Sequence, residues 1–345
     1  MSLRIAIVPE RLGSVLSPCG SIRLAAFFDA MRKEGAEDWE FRYLIPEEVA
    51  AFRPDVIVWQ RIAMDERQVT AIADLAKRSG ALTIYDLDDN LFDLDDAAER
   101  LAYADKLKAV EKSLQVADQA WCSTVELADR VSGIARHRPQ VMANALDPGL
   151  WGEAPASAEP DAGVHCLMYM GTRTHAADLG LLSQAMDLLE DRQPGRFKLD
   201  IVGVASEYPE RPWMRVLQIP GHVGASYPAF VHWIRQQGAR QLGVAPLLAS
   251  SFNDCKSCIK VMDYAALGMP TLASDVAAYR PMQADVECFK ADNDAVQWAT
   301  AIERACGDAA LASRVLAGAA ARIGATPFVE AVRLRADAIL LGRAR

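Results

Sequence analysis

Between residues 242 and 275 the chain reads LGVAPLLASSFNDCKSCIKVMDYAALGMPTLASD, and here charged side chains stand at the start of a helical period. Lys256 and Lys260 are four apart, so on or entering a helix they share a face. Near a helix N-terminus their charges add to free backbone N–H groups, which suits a pyrophosphate. Ser257 is placed to cap that helix and to donate to an oxygen. Asp263, one turn beyond Lys260, is placed to accept hydrogen bonds from sugar hydroxyls. The same spacing also fits a solvated lysine pair on an amphipathic helix. A second cluster, Asp86, Asp88 and Asp89, follows an apolar run. Three carboxylates this close repel one another and need water, a cation or basic partners. They read as an acceptor-hydroxyl contact, as a helix start rich in capping acids, or as a Mg²⁺ site. Ser21, Arg23, Gln60, Arg61, Thr124 and Asn144 lie just beyond expected strand ends, where side chains can face a cleft. Arg23 and Arg61 equally fit structural ion pairs.

Positioning these residues falls to apolar β-rich runs that alternate with helical periods. Strands are expected over 3–8, 40–44, 56–59, 82–85, 119–122 and 140–142, with helices over 21–33, 66–79 and 96–116. Around 147–163 the pattern stops in a Pro-, Gly- and Ala-rich stretch that reads as a linker. A second series follows, with strands over 165–170, 198–202, 216–219, 241–245 and 271–273. Its helices are expected over 177–190, 227–237, 258–267, 295–306, 309–323 and 328–341. This is an α/β pattern of two Rossmann-like domains, each with a parallel sheet covered on both faces. Each sheet presents its strand carboxyl ends and adjoining helix N-termini as a binding edge. Facing edges make a cleft that closing domains can dry out.

Composition narrows the partners. With 345 residues, 51% of them hydrophobic, the chain can build two domain cores. A net charge of -9 disfavours a nucleic-acid duplex, although a local basic pocket suffices for a small anion. No apolar run approaches the ~20 residues of a membrane span, and the N-terminus runs into a strand without a signal-peptide pattern. Seven scattered cysteines point to free thiols in a reducing cytosol. Cys255 and Cys258 form one CxxC without a second ligand pair, so no metal site is expected. The first loop is not GxGxxG, which removes the nicotinamide fingerprint.

The run Asp263-Tyr-Ala-Ala-Leu-Gly-Met-Pro270, followed by Ala273-Ser274-Asp275, resembles the donor-binding block of family-4-type retaining glycosyltransferases of the GT-B architecture. Tyr169-Met170-Gly171-Thr172, Ile201-Val202-Gly203 and Ile219-Pro220-Gly221-His222-Val223 resemble other segments of that family's donor domain. The resemblance implies a ribose contact at Asp263, where the family has the second of two glutamates. The first falls at Cys255, whose thiol cannot serve a sugar; Asp254 or the backbone over 252–256 would stand in. Arg173 is the implied phosphate contact, and His175 replaces a family lysine or caps the following helix. The implied donor site is Gly171, Thr172, Arg173, His175, Gly203, His222, Val223, Asn253, Lys256, Ser257, Lys260 and Asp263. Lys260, Arg173 and Asp263 carry the chemistry, and Arg23, Arg61, Asp86, Asp88, Asp89 and Asn144 are the acceptor-side candidates.

By that resemblance the domains are 1–150 for the acceptor, a linker at 151–163, 164–325 for the donor, and a helix at 326–345 that packs back on the first domain. The activity implied is sugar transfer from a UDP- or GDP-type donor to a hydroxyl, with retention of configuration. The donor's own phosphate oxygen takes the acceptor proton, and no tightly bound cofactor is involved. The acceptor is a sugar, a lipid-linked glycan or a protein, and the expected place is the cytoplasm or the inner face of the membrane. A sugar-nucleotide epimerase and a non-catalytic nucleotide-sugar-binding module are the rivals; a dehydrogenase is a poorer fit.

Overall fold

Alternation of apolar residues builds the first sheet. Strand β1 (Leu3–Val8) sends Ile5 and Ile7 into one buried layer and Ala6 and Val8 into the other. The computed structural model describes residues 2–33, 39–156, 163–171, 176–203, 209–224 and 226–344. After a two-stranded antiparallel hairpin, β2 (Arg11–Leu12) with β3 (Val15–Leu16), come β4 (Trp39–Tyr43), β5 (Val56–Gln60), β6 (Leu82–Leu87), β7 (Gln119–Cys122) and β8 (Gln140–Val141). They pair in parallel in the order β4-β1-β5-β6-β7-β8. The second sheet is parallel too. It holds β9 (His165–Met170), β10 (Phe197–Val202), β11 (Met214–Leu217), β12 (Leu242–Ala245), β13 (Thr271–Ser274) and β14 (Phe289–Ala291), in the order β11-β10-β9-β12-β13-β14. Both sheets bury both faces, so the expected α/β architecture of two Rossmann-like lobes is what the chain adopts.

In each lobe the strand order reverses once, between β1 and β5 and between β9 and β12. Ligands of open α/β sheets bind at such switch points, outside the strand carboxyl ends. These are the edges that carry Glu10, Arg61, Tyr169 and Gly171.

Local chemistry explains the helix limits. Helix Glu66–Ser79 starts at a capping box, with Asp65 and Gln68 reciprocally bonded, and stops at Gly80 in the left-handed region. Asp96 caps helix Ala97–Val116. The helix expected over 21–33 is interrupted. A turn at Pro18–Gly20 leads into a π-helical stretch, Ser21–Ala25, before regular helix Ala26–Lys33. The π segment contains Arg23, which is completely buried. The stretch expected as linker opens with regular structure. Asp147 caps a short helix, Pro148–Trp151, and Trp151 is buried.

The last helix, Ala325–Arg343, lies on the first lobe. Phe328 stacks on Phe27 at 5.5 Å, and Arg335 donates to the carbonyls of Met142 and Ala143 at 3.2 and 3.0 Å. The lobes also meet through the loop of residues 250–257. Its Phe252 and Cys255 are buried within the first lobe's hydrophobic core. Around them Asn90 donates to the Ser251 carbonyl, Thr124 to the Cys255 carbonyl, and Ser250 to Asp95.

Candidate functional site

Strands β9 and β12 pair only through Leu242 and Gly243, and beyond that they part. Tyr264 fills the fork. Its hydroxyl accepts from the Met170 amide at 2.8 Å and donates to the Val244 carbonyl at 3.0 Å. Gly243 makes room for the ring, since a Cβ there would lie 2.3 Å from Tyr264 Cγ. Helix Ile259–Ala266 is therefore pinned at the switch point, with Lys260 and Asp263 on its turns. We expect Tyr264→Phe to strand both backbone groups and cost about 2–3 kcal/mol. Chemical denaturation checks this, and an unchanged midpoint would contradict the pinning role.

Lys260 Nζ is buried and has no hydrogen-bond partner among the described residues. It stands 5.5 Å from the Tyr169 ring centroid. Burial pushes its ammonium down to about 8; Lys256 acts in the same direction, while Asp178 and Asp263 oppose. Asp263 Oδ1 is likewise buried without a partner among the described residues, and burial pushes that carboxyl up to about 7 against the pull of Lys260. Asp178 is buried and accepts from the Leu248 amide at 2.7 Å. Asp178 and Asp263 act on this ammonium through space, but among the described residues it is hydrogen-bonded to neither, so it lacks the direct partner that buried ions normally have. An incoming anion would provide it.

Around this pair the other donor-side candidates fall into three groups. Gly171, Gly203 and Ile219 meet at the carboxyl edge. Gly203 has φ +79°, and a Cβ there would lie 2.5 Å from the Gly171 carbonyl oxygen, so only glycine fits. Val223 is buried and His222 exposed on the one-turn helix Gly221–Gly224. Thr172, Arg173 and His175 lie outside the described residues. In the third group Ser257 does not cap its helix, contrary to expectation; its Oγ accepts from Asn144 Nδ2 at 2.9 Å. Lys256 lies over the Phe252 ring at 4.3 Å and reaches Asp89 of the other lobe at 3.7 Å. Asn253 is buried and donates to the Leu248 carbonyl inside its own loop.

The acceptor-side candidates divide. Arg23 and Asp86 do not face the cleft: both side chains are 0% exposed, in a bidentate pair at 3.1 and 2.6 Å. Burial opposes the Arg23 charge and Asp86 outweighs it. Arg335 lies beside them, its guanidinium 3.5 Å from the Phe27 centroid, and burial and Arg23 both push its pKa down. Sequence reasoning missed Arg335 because nothing near it hints at a buried partner.

Arg61 does lie at the edge. It has φ +43° at the end of β5, and its guanidinium binds Asp88 and Asp89 at 2.7 Å each and Glu10 at 3.2 Å. Burial opposes its charge, and the neighbouring carboxylates outweigh burial. The Asp-rich turn is thus not a helix cap, and Asp88 and Asp89 are only part-exposed. Its second and third acids neutralise Arg61, with Lys256 reaching over from the other lobe. Asn144, like Asp89, touches both lobes. Its Oδ1 accepts from Arg23 and its amide donates to Ser257.

No protein-family model matches the sequence, and no curated protein does either. Solved structures do match in shape. Sucrose-phosphate synthase from Thermosynechococcus elongatus superposes with a TM-score of 0.65 at 11% identity, over 99% of this chain and 98% of that one. Anabaena HepE in complex with UDP and glucose gives 0.62 at 12% identity, over 98% and 99%. A glycosyltransferase from Rickettsia africae gives 0.62 at 10% identity, over 99% and 98%. The two-lobed fold described above is the GT-B fold of glycosyltransferases.

Proposed function

We propose that this GT-B chain is a retaining glycosyltransferase of the family-4 type, moving a sugar from a UDP- or GDP-type donor to an acceptor hydroxyl. The observation that carries the reading is the buried ammonium of Lys260 at the second lobe's switch point, without a hydrogen-bond partner among the described residues. UDP and UDP-glucose in the HepE structures give the reading a ligand of the right charge. In this reading residues 1–150 offer the acceptor edge, 164–325 hold the donor, and Arg173 adds a second cation.

The chemistry follows from where charge develops. As the glycosidic bond breaks, negative charge builds on the diphosphate. Lys260, with the free amides at the start of helix Ile259–Ala266 and the Ser257 hydroxyl, stabilises it in a site from which water is excluded. Asp263, partly protonated at neutral pH, contacts the ribose as donor or acceptor. The acceptor's proton passes to a donor phosphate oxygen on the same face of the sugar, so no protein nucleophile is needed.

A second reading draws on one observation. Cys255, at the place of a family glutamate, is buried in the first lobe's core and its thiol is pushed up to about 11 by burial. No side chain at 255 serves the sugar, which fits a nucleotide-sugar-binding module without turnover.

A melting panel of UDP, GDP and ADP and their glucose adducts tests both. A ligand at 100 times its Kd adds about 2.7 kcal/mol of stability. We expect one base to raise the melting temperature clearly above the others, with sugar release or transfer for the matching donor. Binding without turnover in an acceptor screen selects the module. A panel with no shift at all sinks both readings.

A further inference from the structure

A directed chain of hydrogen bonds runs from the first lobe's interior to the segment before helix Ile259–Ala266 in the second. It begins at the buried Asp86 carboxylate, which takes Arg23 Nε and one terminal nitrogen at 3.1 and 2.6 Å. The other terminal nitrogen of Arg23 donates to the Met142 carbonyl and, at 3.0 Å, to Asn144 Oδ1. Asn144 Nδ2 then donates across the lobe boundary to Ser257 Oγ at 2.9 Å. Guanidinium has donors only, so the amide oxygen must face Arg23 and the amide nitrogen must face Ser257. The Ser257 oxygen is thereby an acceptor. Its own hydrogen is left to point elsewhere, beside Lys256 and the start of helix Ile259–Ala266.

We propose that Asn144 is a positioning residue: held by Arg23, it turns the Ser257 hydroxyl into an obligate donor aimed at a phosphate oxygen of a bound nucleoside diphosphate. This rests on the nucleotide reading above and adds to it a role for a first-lobe residue in donor recognition. The physical basis is polarity. A serine hydroxyl free to rotate can donate to a phosphate or to any nearby acceptor. One whose lone pair is already engaged by an amide N–H is preorganised to donate, and a hydrogen bond to a charged oxygen is among the stronger kinds.

Asn144→Asp tests this, because it keeps the shape and reverses the polarity. A carboxylate accepts from Arg23 and from the Ser257 hydroxyl, drawing that hydrogen away from the ligand. UDP affinity by calorimetry and melting temperature are measured for the parent, N144D, S257A and the double variant. We expect N144D and S257A each to weaken UDP binding about 10-fold, and the double variant to be no weaker than S257A. N144D should melt at or above the parent temperature, since the new carboxylate pairs with Arg23 in a cluster of two arginines and one aspartate. A simple structural role would move melting and leave UDP affinity alone.

If the parent binds UDP and N144D binds it equally, the relay is overturned while the nucleotide reading stands. Losses that add in the double variant overturn it too, because they mean the new charge repels the ligand without Ser257. A parent that binds none of UDP, GDP and ADP ends the nucleotide reading and the relay together.

Discussion

Lys260→Met should lower turnover of the matching nucleotide-sugar by roughly 10²–10³-fold and yet make the protein more stable. The first effect is the loss of one preorganised cation at the charge that forms on the leaving diphosphate, worth about 3–4 kcal/mol of barrier. The second follows from burial. The ammonium sits at about 8, below the ordinary 10.5, so folding holds a charge where water would hold it better. A depression of that size corresponds to about 3 kcal/mol at neutral pH. Methionine fills the same volume without the charge. Asp263, relieved of its cation, rises further toward its neutral form, and Asp178 keeps the Leu248 amide as a partner, so little new buried charge is stranded. The net gain should be about 2 kcal/mol, read by denaturation of the parent and the variant side by side.

The pH dependence has a definite sign. Between about 8 and 10.5 the unfolded chain binds a proton at Lys260 that the folded chain has lost, so the parent's stability gains from this group as pH rises through that window. K260M should lack the gain. Ligand binding goes the other way. A diphosphate needs the ammonium and raises its pKa, so UDP affinity should fall as pH climbs past about 8, and binding at pH 8 should take up protons. Calorimetry in buffers of different ionisation enthalpy reads that uptake. A variant with unchanged turnover, or a parent with flat affinity from pH 7 to 9.5, would contradict the assignment.

Asp86→Asn is expected to be the most destabilising single change in the first lobe, by about 3–5 kcal/mol. Arg23, Arg335 and Asp86 are all 0% exposed, and Asp86 is the only acid on either guanidinium among the described residues. Removing its charge leaves two buried cations that repel each other. Asp88→Asn is the control. Arg61 keeps Glu10 and Asp89, so the loss there should be nearer 1 kcal/mol. Adding Arg335→Met to Asp86→Asn should return part of the lost stability, since it removes one of the stranded charges. Equal midpoints for the Asp86 and Asp88 variants would show that the triad is not what holds the last helix to the first lobe.

How far the sequence was readable depended on range. Strands such as Leu3–Val8 and helices such as Glu66–Ser79 carry their signals within a few residues, as β-rich apolar runs and as a cap at each end. Two parallel sheets follow from that alternation. Strand β14, three residues of Phe-Lys-Ala, is too short to show a period. Around the site the helix bearing Lys260 and Asp263 was legible, because its cations and its Gly-Met-Pro stop are adjacent in the chain. The fates of Arg23 and Asp86 were not. They lie 63 residues from each other, and Arg335 beside them is held by the Met142 carbonyl 193 residues upstream of it; a charged residue past a strand looks the same whether it turns outward or inward. Ser257 shows the same limit: a capping position by spacing, it is claimed instead by an amide 113 residues upstream.

Phe252 and Cys255 belong by sequence to the second lobe and by packing to the first. The two halves therefore cannot swing apart as independent rigid bodies without drawing a benzyl group and a thiol out of an apolar interior. Whatever breathing admits a substrate must either spare this anchor or reel out residues 250–257 from the second lobe while the tip stays plugged in the first. In deuterium uptake, backbone amides at this tip should then follow the protection of strands β6 and β7, not that of the strands on either side of them in the chain.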